Sequence, residues 1–198
     1  APLFINLDSI HRRIEARFHQ ETGGQGTFQK LDLHFLPRPH AVIRGGKLSF
    51  PGRESLAFEA LTVYPKLLPL LTGEFFPARI QLTSPHTDID LASSKKGKSI
   101  PTPLPGSALE FEIPSEFSKW MNKTDGLVIQ VENGRLNLVT RETPSLQFSD
   151  IDLSARHAGG ILTLDVTCAS NFFQHMELKG QLKLASTKTK GTLTLSGF

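Results

Sequence analysis

Seven histidines and one cysteine are the residues of this 198-residue chain best suited to hold a metal or move a proton. Their spacing argues against both roles. His11 and His19 fall in a stretch of helical periodicity, without the His-Glu-x-x-His pattern that puts two ligands one turn apart. His34, His86, His157 and His175 read as polar-parity positions of strands or turns, and His40 follows Pro39 in a loop. None has a second ligand nearby at metal spacing. The segment HTDID at His86 offers two carboxylates, but alternation sends Asp88 and Asp90 to the solvent side of Ile89 and Leu91. Cys168 has no partner for an internal disulfide, and its place on the apolar parity of LTLDVTC makes it a core residue.

Nucleophile and phosphate motifs are equally lacking. There is no Gly-x-Ser-x-Gly elbow to expose a serine at a strand-to-helix turn. The glycine-rich GGQG at Gly23 follows a helical stretch, where it caps and turns the chain; a phosphate loop would precede the helix. No strand carries paired carboxylates against an apolar background. The chain therefore reads as non-enzymatic, with no metal and no cofactor.

Charge narrows the partners. Lys and Arg number 22 and Asp and Glu 19, a net +3 that falls short of a nucleic-acid footprint. HRR at His11 and KKGK at Lys95 are basic, yet the aromatics are 14 Phe with one Tyr and one Trp. Most of those Phe lie at buried parity, so platforms for stacking bases are not indicated. The basic runs read as solvated faces, and no nucleic-acid partner is expected. Asn122-Lys123-Thr124 is a glycosylation tripeptide of low specificity.

These residues need elements to position them. Leu7, Ile10, Ile14 and Phe18 recur at helical spacing behind Asn6 or Asp8 as cap, and Gly23-Gly24 ends this amphipathic first helix. A short second helix is expected in PKLLPLL before Gly73, and a third in PSEFSKWMNK, with Pro114 near its first turn. Nearly everything else alternates with period two, which marks antiparallel strands with one apolar face. The expected fold is mainly β with a few short helices, a curved antiparallel sheet built from repeated hairpins. Residues 1–92 hold the first helix and a first β unit, 93–107 (SSKKGKSIPTPLPGS) form a linker or long loop, and 108–198 hold a second β unit continuing the same sheet.

The hairpin repeat is written in the letters. GKLSFPGRESLAFEALTV from Gly46 is nearly restated as GRLNLVTRETPSLQFSDIDL from Gly134. In both, apolar parity switches at the same places: at Gly45-Gly46 and Asn133-Gly134, then between Phe58 and Leu61 and between Phe148 and Ile151. A β-bulge does this, inserting one residue so that the apolar side stays inward.

The order INLDSIHRRIEARFHQETGGQ, LDLHFLPRPHAVIRGGKLSF and LAFEALTVYPKLLPLLTGEFFPARIQLTSPHTDI resembles the N-terminal region of AsmA-like proteins. Thr22-Gly23 stands at the end of that family's amphipathic helix, Pro37 or Pro39 where its strand runs into proline, and Leu68 to Gly73 and Ile80 to Leu91 in its later motifs. The likeness covers most of residues 4–92, and GLVIQVENGRLNLV…LQFSDIDLSA resembles the family's repeating strands more loosely. It implies a periplasmic, non-catalytic module tethered to the inner membrane of Gram-negative bacteria. The tether is absent from this chain, which opens on Ala1-Pro2, closes on LTLSGF and reads as cut from something longer. It further implies a role in outer-membrane biogenesis, carrying phospholipid acyl chains along a repeated β-groove. Leu48, Phe50, Leu56 and Phe58, with Leu136, Leu138, Leu146 and Phe148, would then line that groove. Alternation fits equally a closed β-sandwich whose apolar face is core, or an interaction scaffold that docks envelope partners at its strand edges.

Overall fold

In a computed structural model the described residues are 25–49, 55–72, 74–90, 124–139, 145–183 and 189–196. The predicted first helix, the third helix at Pro114, the linker at 93–107 and Phe50 lie outside them.

The fold is mainly β, a single sheet of eleven strands. In chain order these are β1 (Gln25–Thr27), β2 (Lys30–His34), β3 (His40–Ser49), β4 (Leu56–Pro65), β5 (Pro77–Thr83), β6 (His86–Asp90), β7 (Val128–Val139), β8 (Leu146–Ala158), β9 (Ile161–Ser170), β10 (His175–Lys183) and β11 (Thr189–Ser196). Among the described residues one short helix, α1 (Leu67–Leu71), interrupts them where PKLLPLL predicts it. The hydrogen-bonded order is β1-β3-β4-β5-β7-β8-β9-β10-β11, with β2 beside β3 and β6 beside β4 and β7. Strands β1 and β2 lie along one partner end to end, as do β5 and β6.

The sheet is mixed, where the alternation predicted antiparallel pairing. Both β5 and β6 pair parallel with β7. The reason is topological. Arg79 lies opposite Val128 and Thr83 opposite Glu132, so β7 begins at the end of the sheet from which β5 started. A hairpin would have produced an antiparallel pair there.

Backbone features explain the parity switches. Gly45, Asn133 and Asp150 have left-handed φ of 59°, 54° and 50°, and Ser84, at the β5–β6 junction, has 49°. Between β7 and β8 the register shifts on both sides of Gly134, and between β8 and β9 it shifts from Ser149 to Asp152. These are the bulges expected at Asn133-Gly134 and between Phe148 and Ile151. In β3–β4, by contrast, pairing runs without a shift from Ala41↔Val63 to Leu48↔Leu56. The lateral pairs explain this: Leu61↔Leu82↔Val131 and Leu56↔Thr87↔Leu136 tie β4 to the two segments of β7 flanking Asn133. Both strands of the first hairpin turn over at one level, so their switches cancel in the register.

Burial is sparse. The buried apolar side chains among the described residues are Leu31, Val42, Phe58, Leu127, Ala155 and Cys168. Leu127 is fully enclosed, with Ile80, Ile129 and Leu162 against it. The turn that carries it is stitched to β8, where Gly126 N–H donates to His157 O at 2.9 Å and His157 N–H to Leu127 O at 2.9 Å.

Candidate functional site

Side chains of directly paired residues in neighbouring strands share a face, so the register assigns faces. One lateral row reads Leu31, Ile43, Leu61, Leu82, Val131, Leu153, Val166 and Leu178, one residue from each of β2, β3, β4, β5, β7, β8, β9 and β10. Every member is aliphatic. The next row of the same face reads Leu33, Ala41, Val63, Ile80, Ile129, Ala155 and Leu164 before reaching Gly180. The row between them faces the other way and, apart from the buried Val42 of β3, is polar, with Asp32, Thr62, Gln81, Gln130, Ser154, Asp165 and Lys179. The sheet thus has one continuous apolar face and one polar face.

The sequence-predicted lining residues sit on this apolar face, beyond the line of left-handed residues. Leu48 pairs with Leu56, Leu136 with Phe148 and Leu138 with Leu146. Thr87 of β6 pairs with both Leu56 and Leu136, which joins the two hairpins laterally. Phe58 lies opposite Gly46 and is buried. A Cβ on Gly46 would stand 2.0 Å from the tip of the Phe58 ring, so the glycine is the floor on which that ring rests. Leu48, Leu56, Leu136, Leu138, Leu146 and Phe148 are half-buried, and the Phe148 ring meets Phe173 at 6.1 Å between centroids. Phe50 lies outside the described residues.

Reading strands one at a time missed the longer aliphatic row through Leu61, Leu82, Val131 and Leu153. Each of these residues had the right parity, but their alignment depends on the parallel pairing of β5 with β7. That pairing leaves no local mark in the sequence.

The polar face holds an open depression of about 750 Å³ over β7, β8 and β9, lined by Gln130, Glu132, Asp152, Ser154, Arg156 and Asp165 among others. Among the described residues no group of three or more His, Cys, Asp or Glu is placed to hold a metal. Asp88 and Asp90 are exposed on either side of half-buried Ile89, as alternation predicts.

His157 corrects the sequence reading. Polar parity was expected, but it continues the parity of Leu153 and Ala155 onto the apolar face and is 1 % exposed. The turn at Thr124–Leu127 covers it. Its Nδ1 reaches Thr124 O only at 3.5 Å, and Nε2 has no hydrogen-bond partner among the described residues. Cys168 is buried as expected, and burial pushes its thiol above the ordinary value of 9.0. That makes it a poor nucleophile.

Among the described residues salt links are confined to the surface. Asp32 accepts from Lys30 at 2.8 Å and from Arg44 at 3.3 Å, and the Lys30 hydrogen bond is the chief cause that lowers its carboxyl below 3.8. Glu177 and Lys179 pair at 2.5 Å, lowering the carboxyl and raising the ammonium.

No helix among the described residues is long and apolar enough to cross a membrane. No protein-family model matches the chain, and no curated protein is significantly similar to it.

Proposed function

We propose that this chain is a non-catalytic periplasmic module of an inner-membrane-tethered, AsmA-like protein, and that its apolar sheet face binds phospholipid acyl chains in support of outer-membrane biogenesis. The observation that carries the reading is the aliphatic row from Leu31 to Leu178, crossing eight strands with most side chains only half-buried. A core face at native density would enclose most of these side chains. A surface for acyl chains would leave them partly open. Extracting a lipid exposes methylenes at roughly 0.8 kcal/mol each, so a 16-carbon chain costs on the order of 10 kcal/mol to bring into water. A continuous aliphatic row offsets much of that cost without any reactive group. The repeated hairpin, in this reading, lengthens the row by one more unit.

Location and tether rest on the AsmA-like residue pattern of 4–92, and the lipid reading rests on the face. Native mass spectrometry of the chain purified from a Gram-negative periplasm tests it, with co-purified phospholipid as the expected result. Lipid-free protein that also takes up no phospholipid from vesicles would overturn it.

A second reading is an interaction scaffold, favoured by the open sheet path, which ends in β1 and β2 on one side and β11 on the other. Unpaired strand edges recruit partner strands. A scaffold would lose its envelope partner through proline substitutions in β2 or β11 and would be indifferent to charge on the apolar face.

A further inference from the structure

Large apolar side chains are exposed unevenly. Among the described residues, Leu36 is 87 % exposed, Leu68 80 %, Phe35 63 %, Phe75 62 % and Leu67 53 %. All five lie in two connections, the loop Phe35–Pro39 between β2 and β3, and the longer loop Lys66–Phe76 with its helix α1 between β4 and β5. The register puts both loops at one end of the sheet, because His34 pairs with His40 and Tyr64 with Arg79 across adjacent strands. At the opposite end the exposed large apolar residues are Val139 and Phe172.

The two loops are built to hold these side chains out. Lys66 N–H donates to Phe76 O at 2.7 Å and closes the neck of the longer loop, while Thr72 and Glu74 N–H both donate to Pro69 O. The shorter loop is braced where His40 Nδ1 meets Arg38 O at 2.9 Å and the His34 and His40 rings stack at 4.6 Å. The His40 ring continues onto Tyr64 at 5.1 Å, and the Arg79 guanidinium stands 6.0 Å from that ring. Arg38 flanks the apolar tips with Arg79 one step behind, and the Lys66 ammonium at the neck of the longer loop donates to Asp125 O. Among the described residues the acidic groups at this end are Glu74 and Asp125, and the Asp125 carboxylate is engaged by Gly159 N–H at 2.8 Å. Apolar tips with a cationic collar suit an interface where acyl chains lie beneath anionic headgroups.

We infer that this strand end docks directly on an anionic phospholipid bilayer, with Phe35, Leu36, Leu67, Leu68 and Phe75 entering the headgroup layer and Arg38 and Arg79 meeting lipid phosphates. The contact is made by the loops themselves and needs no anchor. It is also separate from the apolar face: the rows of that face run across the strands, so in this orientation they lie along the membrane surface, nearest to it the row of Leu33, Ala41, Val63 and Ile80.

Vesicle flotation of the 198-residue chain tests this, with phosphatidylethanolamine and phosphatidylglycerol at 3:1 against phosphatidylcholine alone. The parent should float with the anionic vesicles and be released by high salt. The double variant L36D/L68D should lose at least about tenfold in partitioning, since each leucine contributes about that factor when buried. Its melting temperature should not change, because both side chains already stand in solvent. Arg38→Gln should weaken binding to anionic vesicles, whereas Val139→Asp and Phe172→Asp at the far end should not. A parent that does not float overturns the inference, as does equal loss from the far-end variants. Self-association abolished by L36D/L68D, without flotation of the parent, assigns the tips to a second copy and also overturns it. Uptake of a monomeric fluorescent lysophospholipid separates this result from the proposed function. L36D/L68D should keep that uptake, and Leu136→Asp should lose it while still floating.

Discussion

A buried histidine with an unpartnered nitrogen is the most informative single residue in the sheet. Nothing among the described residues accepts from or donates to His157 Nε2, so folding strips that atom of water without return. Replacing the ring by an apolar group of similar size removes the desolvation cost. His157→Leu is therefore expected to keep or raise stability, by up to about 1–2 kcal/mol in urea denaturation, and a loss of that size would show that Nε2 is satisfied in solution. Cys168 follows from burial alone: its thiol should resist a disulfide reagent until the chain unfolds. Asp32 gives a pH signature. Its folded carboxyl lies below the ordinary 3.8, so the Lys30 and Arg44 links contribute stability that is fully present above 3.8 and fades as pH falls through the lower folded value. Asp32→Asn should flatten the acid limb of the melting curve and leave neutral pH nearly unchanged, since exposed pairs contribute little.

At the scale of elements, the parity switches were legible because a bulge must move every later apolar residue to the other parity. The shifts at Asn133 and Asp150 stand in the pairing of β7 with β8. The first hairpin hides the same event, since Gly45 and the facing stretch of β4 turn over together and the register closes unshifted. What the residues could not reveal was the parallel seam, since β5 and β7 carry the same alternation whichever way they pair. His157 shares the parity of Leu153 and Ala155, and its polar chemical type masks that membership in the sequence. The glycine pair at Gly45-Gly46 gives the sharpest element-level expectation. Gly46→Ala drives a Cβ into the buried Phe58 ring and should cost about 1–3 kcal/mol. The cost should largely vanish in a Phe58→Leu background, where the ring is gone. A double-mutant cycle measures that coupling, and additive costs would mean that the ring does not rest on Gly46.

For the whole molecule the decisive matter is whether the apolar face is only a core or also a surface. Its residues differ in burial along one face, and that difference separates folding from binding. Phe58 is 6 % exposed, so Phe58→Asp buries an unpaired carboxylate and should cost more than about 4 kcal/mol, a large share of a domain's stability. Leu48, Leu56, Leu136, Leu138 and Leu146 are half-buried. An Asp there keeps contact with solvent and should cost only about 1–2 kcal/mol. The same charge set in the path of an acyl chain cannot be solvated once lipid covers it, so transfer of a fluorescent phospholipid between vesicles should fall about tenfold or more while the fold persists. Thr87 bridges the two hairpins in the row Leu48, Leu56, Thr87, Leu136, Phe148 and Ser170, and Thr87→Val should raise transfer slightly by making the run from Leu48 to Phe148 apolar. Melting and transfer measured on the same variants then give two independent columns. A face that serves only as core predicts that they fall together at every position. A binding face predicts transfer loss with an intact fold at Leu136 and Leu138, and unfolding at Phe58.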